Sequence, residues 1–339
     1  MHALLLASAL LIGCLLAVQA SVNLQLNKAV GTPYGASTLQ LSVATALLAV
    51  LAVAVGTITA VDLVPDVPFW HLLGGLASPL YITSGILLFP RLGALAAVGL
   101  FVTGQMFASL GLDLLGLIGI EQKPISVGIV VGAIAVLVGI TVIIRSQLVA
   151  QKVPAAATPV AVTVGGGGSV ATAARPAAPA PAPKRSGLGQ GGWIVLGLIA
   201  GAVLPIQGAI NAQLRKDLQA PVTVAMISFI VATLTILVTL LLLRATRRTP
   251  APKFEPLRRM PWWGWLGGAC AAAYVTATFM LIPTIGAATT VALTVTGQQV
   301  ASAVVDNYGL FRMPRRPLTL PRLGGLALLI AGSVLVQLT

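Results

Sequence analysis

The chain has 339 residues, 57% of them apolar and only 8% charged, a balance that excludes a soluble domain, whose surface needs far more charge. The formal net charge of +13 would suit nucleic acid, but the Lys and Arg residues sit at the ends of apolar runs and in loops, which is the membrane pattern, so nucleic acid is excluded as a partner. The two cysteines, Cys14 and Cys270, fall inside apolar runs and are too few for a disulfide framework or a zinc site.

Ten apolar runs of about 20 residues, each able to cross roughly 30 Å of hydrocarbon as a helix, predict an all-α integral membrane protein with the lipid bilayer as its surroundings. The first five lie near 4–26, 37–60, 69–89, 93–112 and 125–144. Val18-Gln19-Ala20 resembles a signal-peptidase site. No Lys or Arg precedes that first run, however, and the same segment recurs in the sixth, so a retained helix is expected. Pro90 to Gly93 leaves a very short turn and predicts a tight antiparallel pair. Residues 149–192 break the pattern, being rich in Ala, Pro, Gly and Thr, with Gly165–Gly168 and an Ala-Pro run from Pro176 to Pro183. That composition predicts a flexible or semi-extended tether, not a domain. No Gly-Lys-Ser/Thr follows the four glycines, so they make no phosphate loop, and neither ATP nor another cofactor is expected. The last five runs lie near 193–214, 222–243, 262–282, 286–305 and 319–338, with a second short turn from Pro283 to Gly286. The expected organisation is a first five-helix unit over 1–148, the tether over 149–192, and a second five-helix unit over 193–339.

The two units share a sequence. Residues 68–139 align without a gap on residues 261–332, a constant shift of 193 (261 − 68). Gly74-Gly75 matches Gly267-Gly268, Tyr81 matches Tyr274, Pro90 matches Pro283, and Gly104-Gln105 matches Gly297-Gln298. Ser109 matches Ser302 and Asp113 matches Asp306. An earlier block repeats at a shift of 188 (207 − 19): Gln19, Asn23, Gln25 and Lys28 pair with Gln207, Asn211, Gln213 and Lys216. Repeats in a membrane chain mark transporter architecture, in which two halves enclose one substrate site.

Charge gives the orientation. Ten crossings put Lys123, Arg215 and Lys216 on one side and the remaining 17 of the 20 Lys and Arg residues (20 − 3) on the other. The positive side is expected to be cytoplasmic, with the tether inside and both termini outside. Five helices per unit is an odd number, so the second unit enters the membrane from the opposite face and the repeats are inverted. Inverted repeats allow two mirror-related conformations, one open to each side.

Three stretches carry a resemblance. They are Leu204-Pro205-Ile206-Gln207-Gly208-Ala209-Ile210-Asn211-Ala212-Gln213-Leu214, Pro261-Trp262-Trp263-Gly264-Trp265-Leu266-Gly267-Gly268, and Thr296-Gly297-Gln298 with Asp306-Asn307-Tyr308-Gly309-Leu310. Together they resemble the YdcZ-like branch of the drug/metabolite transporter (DMT) superfamily. Members of that branch usually have about five helices, so this chain looks like two of them fused through the tether. The resemblance covers nearly everything outside the tether and is closer in the second half. It implies an inner-membrane carrier that exports small molecules, and it supplies no substrate.

Polar residues deep in a spanning helix are costly unless they face protein or water. Gln19 and Asn23 share one face of the first helix, and Gln207 and Asn211 share one face of the sixth. They form either a polar wall of a substrate path or interhelical hydrogen bonds. Gln105 with Ser109, and Gln298 with Ser302, lie on the fourth and ninth helices, which line the central cavity in the superfamily, and Gln299 adds a polar group in the second half only. Amides both donate and accept, which suits neutral polar or zwitterionic ligands. Tyr81 and Tyr274 recur on the third and eighth helices and can stack on an organic substrate. Asp113 and Asp306 are the repeated acids and the candidates for ion coupling. Their place at helix ends equally suits a capping role, and the first helix lacks the glutamate that small multidrug carriers use.

The function expected is a secondary transporter of small organic metabolites or drugs, an exporter working by alternating access. The alternative is a non-transporting membrane scaffold or sensor subunit. An enzyme is not expected: His2 and His71 are the only histidines, neither has an acid at helical spacing, and no metal-ligand spacing occurs. One chain holds a complete inverted pair, so either a monomer or a homodimer is expected.

Overall fold

The computed structural model describes residues 2–119, 122, 124–152, 189–285 and 287–338. Among these residues the chain is helical, with no strand. Helix α1 spans His2–Val30 and α2 spans Pro33–Ala54. The next helical stretch, Ser78–Leu115, is broken at Gly93 (φ 79°, ψ 166°) into α3 (78–92) and α4 (94–115). Then follow α5 (Val127–Lys152), α6 (Gln190–Leu218) and α7 (Pro221–Ala245). The last three are α8 (Leu266–Ile285), α9 (Ala287–Tyr308) and α10 (Leu320–Leu338). The described residues therefore hold the ten helices expected, as an all-α membrane protein of two inverted five-helix repeats. Most of the tether falls outside the described residues, as do Gly165–Gly168 and Lys123.

Three boundaries differ from expectation: the fifth helix runs on to Lys152, not to about 144, and two others differ for local reasons. The second helix stops at Ala54, not near 60, because Gly56 turns left-handed (φ 73°), and a 3-10 segment, Ile58–Asp66, follows. The third run begins as a 3-10 segment, Phe69–Ala77, and becomes α-helical only from Ser78. Gly74 and Gly75 lie in that segment. They are poor α-helix formers, and they bring the backbone so close to α6 and α7 that a Cβ on either would overlap Asn211 or the Ser228 carbonyl.

The halves pack chiefly on each other, through small residues as membrane helices do. Gly104 of α4 and Gly201 of α6 interlock, each meeting the other helix's backbone at Leu198 and Phe101. The repeat reproduces this contact: Gly297 of α9 meets the Leu10 carbonyl of α1, and Gly13 of α1 meets Thr294. Helices α5 and α10 cross antiparallel through Gly132 with Gly332 and Gly139 with Gly325. An apolar stretch of 18 residues within the span covering α3 and α4 (69–115) is 83% buried, whereas the corresponding stretches of the other candidate spans are 22–39% buried. Phe89, Leu95 and Phe101 thus sit at the centre, while Val130, Leu137, Leu234 and Leu241 turn outward, as lipid-facing residues do.

The repeat also fixes the helix ends. Gln25 Nε2 donates to the Phe311 carbonyl at 2.7 Å, and its mate Gln213 donates to the Ile118 carbonyl at 2.8 Å. Both acceptors belong to residues at positive φ, 54° and 56°. Each glutamine therefore ties a strained turn of one half to a helix of the other.

Candidate functional site

A cavity of about 430 Å³ lies between the halves, lined from α1, α3, α4, α6, α7, α8, α9 and α10. Of the residues singled out from sequence, Gln19, Tyr81, Gln105, Ser109, Gln207, Asn211, Tyr274 and Gln298 line it. The lining runs out to Leu112 of α4, Arg215 of α6 and Gln337 of α10, which lie near the C-terminal ends of those helices. The cavity therefore belongs to one end of the bundle.

Each wall residue is there because an apolar run carries a polar group on its inward face. On α6, Gln207, Asn211 and Arg215 are four residues apart and form one ladder. Ser78 Oγ donates to Gln207 Oε1 at 3.0 Å, and Asn211 Nδ2 donates to Ser228 Oγ at 3.1 Å. Gln298 Nε2 donates to the Tyr81 hydroxyl at 2.9 Å, and the Tyr81 ring packs against Phe101 with centroids 4.8 Å apart. Four buried polar atoms on the wall have no protein partner: Gln19 Oε1, Gln105 Nε2, Asn211 Oδ1 and Ser333 Oγ. A buried polar atom left unsatisfied costs about 1–3 kcal/mol, so these atoms are suited to meet water or a ligand.

The remaining candidates lie elsewhere. Asn23 donates to Gln40 Oε1 at 3.2 Å, and Gln40 in turn donates to the Gly267 carbonyl at 3.4 Å. Ser302 Oγ donates to the Gln299 carbonyl at 2.7 Å, and Gln299 is fully buried with neither amide atom bonded. Asn23, Gln299 and Ser302 all lie off the cavity, displaced along their helices toward the opposite end of the bundle from Arg215. Asp113 is also absent from the lining.

Asp306 is fully buried at that opposite end. Its carboxylate accepts the Ala94 and Leu95 amides at 2.7 and 3.2 Å, the first free N–H groups of α4, and pairs with Arg322 at 2.7 Å. Arg322 also donates to the Arg316 and Pro317 carbonyls, and Arg316 donates to the Pro90 and Arg91 carbonyls. Gly93 makes room for this cluster, since its Cβ would come within 2.8 Å of Asp306 and 2.9 Å of Arg316. Burial pushes the Arg316 guanidinium below its ordinary range, and the Asp306 carboxylate opposes that shift.

Sequence reasoning missed part of the wall. Ser78, Thr278, Thr294, Arg215, Ser333 and Gln337 all line the cavity. Arg215 continues the four-residue spacing of Gln207 and Asn211, and Ser333 with Gln337 repeats that spacing on α10, so both were readable as ladders. His71, which has no acid at helical spacing, finds one across the fold: its Nδ1 meets the Asp217 carboxylate, tying the 3-10 segment to the end of α6.

A family model described as "Putative inner membrane exporter, YdcZ" matches residues 4–142 and again residues 192–335. The chain belongs to that family, a branch of the DMT superfamily, as a fusion of two units; at the family level it is an inner-membrane transporter. No curated protein matches it. A solved structure described only as "Crystal structure of protein" is similar with a TM-score of 0.51 at 18% identity, covering 98% of this chain and 97% of that one, which shows a shared fold alone.

Proposed function

We propose that this member of the family is a secondary carrier that exports small organic solutes by alternating access between its two inverted halves. One observation supports this most: two mirror-related contacts stand in opposite states. Gly85 of α3 faces Ala20 of α1, and a Cβ on it would lie 3.8 Å from the Ala20 Cβ. Their mates in the repeat are Thr278 of α8 and Gly208 of α6. Both line the cavity, and a Cβ on Gly208 would meet nothing within 4 Å. One repeat is closed where its copy is open. Two copies of one design have both arrangements within reach, and exchanging them moves the opening from one end of the bundle to the other.

The excess of Lys and Arg assigns the Asp306 end and the tether to the cytoplasm, and both termini and the cavity mouth to the outside. The conformation is then outward-facing. Gln299, Asn23 and Asn27, which hold buried polar atoms without partners, are the groups that an inward-facing cavity would wet. Asp306 in this reading latches the inner end shut and does not couple an ion. One chain suffices for the cycle.

The test uses the mirrored serines. With Cys14 and Cys270 replaced, Ser109→Cys is expected to react with an impermeant maleimide from the outside. Ser302→Cys is expected to react slowly, and only from the cytoplasmic face of inverted vesicles. A Ser302→Cys protein that never reacts from that face overturns alternating access.

A further inference from the structure

We propose that the cavity takes amphipathic solutes carrying a carboxylate, and that Arg215 is the residue that selects them. This rests on the carrier reading above and names the substrate class of that same site.

The first observation is the charge of the wall. Among the described residues lining the cavity there is no Asp or Glu, and the single charge is Arg215. An organic cation entering this space would leave water, find no carboxylate, and pass a guanidinium on the way. A buried charge without a partner is the costliest arrangement a site can offer.

The second observation is that no acid among the described residues neutralises Arg215. The nearest acid in sequence, Asp217, is two residues on and so points away from it around the helix, where it pairs with His71. No ion pair joins Arg215 to any acid among the described residues.

The third observation comes from the repeat. A basic residue in the last turn of a helix is ordinarily explained by the helix dipole. In this chain that role already belongs to the mirrored lysines, Lys28 at the end of α1 and Lys216 at the end of α6. Arg215 is an addition, because its mate is the neutral Asn27. The addition falls on the ladder of α6 that lines the cavity, one turn beyond Asn211.

The space below Arg215 completes the match. Gln105 Nε2 is a buried donor with no partner. Ser78 donates to the Gln207 carbonyl oxygen, which leaves the N–H groups of this wall amide to serve a ligand. Around them stand Leu16, Ile82, Val102 and Val295. The arrangement is one cation at the mouth, amide donors beneath it and an apolar body, complementary to a small acid with a hydrophobic skeleton.

The experiment compares three probes with one skeleton on the full chain in detergent at neutral pH: 3-phenylpropionate, 3-phenylpropionamide and 3-phenylpropylamine. Binding is read by titration calorimetry and by thermal stabilisation. The acid is expected to bind the wild type about tenfold or more tighter than the amine. Arg215→Gln should weaken the acid about tenfold and leave the amide unchanged, which also shows that the variant is folded; Arg215→Lys should retain most of the acid's affinity. Gln105→Glu should shift preference toward the amine. Equal or tighter binding of the amine, or no effect of Arg215→Gln on the acid, overturns anion selection and leaves the carrier reading standing. Binding of none of the three overturns the carboxylate assignment, and the labelling of Ser302→Cys then decides separately whether the carrier reading survives.

Discussion

Removing the Asp306 carboxylate should cost more than any other single polar change in the molecule. The group is fully buried. It accepts two backbone amides at the start of α4, at 2.7 and 3.2 Å, and holds Arg322 at 2.7 Å. The Arg322 side chain is itself only 5% exposed, so Asp306→Ala leaves a guanidinium buried without a counter-ion. Breaking a buried pair from one side costs about 3–5 kcal/mol, and the two orphaned amides raise the figure toward its upper end. Arg322→Met should cost less, because the carboxylate keeps both amides and Arg316 stays near. The double variant Asp306→Asn/Arg322→Met should recover part of the loss, since no unpaired charge is left. The assay is thermal and denaturant unfolding of the four proteins in detergent, combined with maleimide labelling of Ser302→Cys in each background. If the cluster latches the inner end, labelling should accelerate in Asp306→Ala by a larger factor than global unfolding accounts for. A loss below about 1 kcal/mol for Asp306→Ala, in the range of an exposed pair, would refute the reasoning.

Three further outcomes follow from mirrored geometry. Gly104→Ala and Gly297→Ala each drive a Cβ into a carbonyl of the facing helix, Leu198 or Leu10; both should destabilise by about 1–3 kcal/mol, measured by thermal unfolding, and to a similar extent. Gln25→Ala and Gln213→Ala each free a carbonyl at a left-handed turn and should each cost about 1 kcal/mol, read in the same assay. Tyr81→Phe removes the oxygen that receives Gln298 Nε2 and leaves the ring against Phe101. Stability should fall by about 1 kcal/mol or less, while any solute held by that amide should lose or gain affinity in titration, because the freed N–H groups then face the cavity.

The fold was readable because a membrane leaves a chain few choices. Apolar length alone locates the helices, and the repeat with its odd helix number gives the inversion. What escaped was local. The 3-10 segment Phe69–Ala77 and the first residues of Ile58–Asp66 are apolar enough to read as helix, and Gly56 and the Gly74-Gly75 pair are the local hints otherwise. The candidate site divides along the symmetry. Gln105 and Ser109 face the cavity together, whereas of their mates Gln298 faces it and Ser302 is sealed beneath Gln299. The repeat makes the pairs equivalent in sequence, and a conformation open at one end makes them unequal, a distinction no sequence carries. Arg215 was overlooked for another reason: at a helix end a cation is ordinary, and only its spacing from Asn211 marks it as part of the wall.

The central claim is that the two ends of the bundle open in turn. Spin labels measure it most directly when placed on mirrored pairs, Lys216 of α6 with Thr284 of α8 at the open end and Lys28 of α1 with Arg91 of α3 at the closed end. All four positions are exposed, and α6 with α8 flanks the cavity while α1 packs against α3. The account predicts two distances at each pair, in opposite proportion, so that conditions lengthening one shorten the other. A single fixed distance at both pairs, unchanged by any solute that binds, would contradict it.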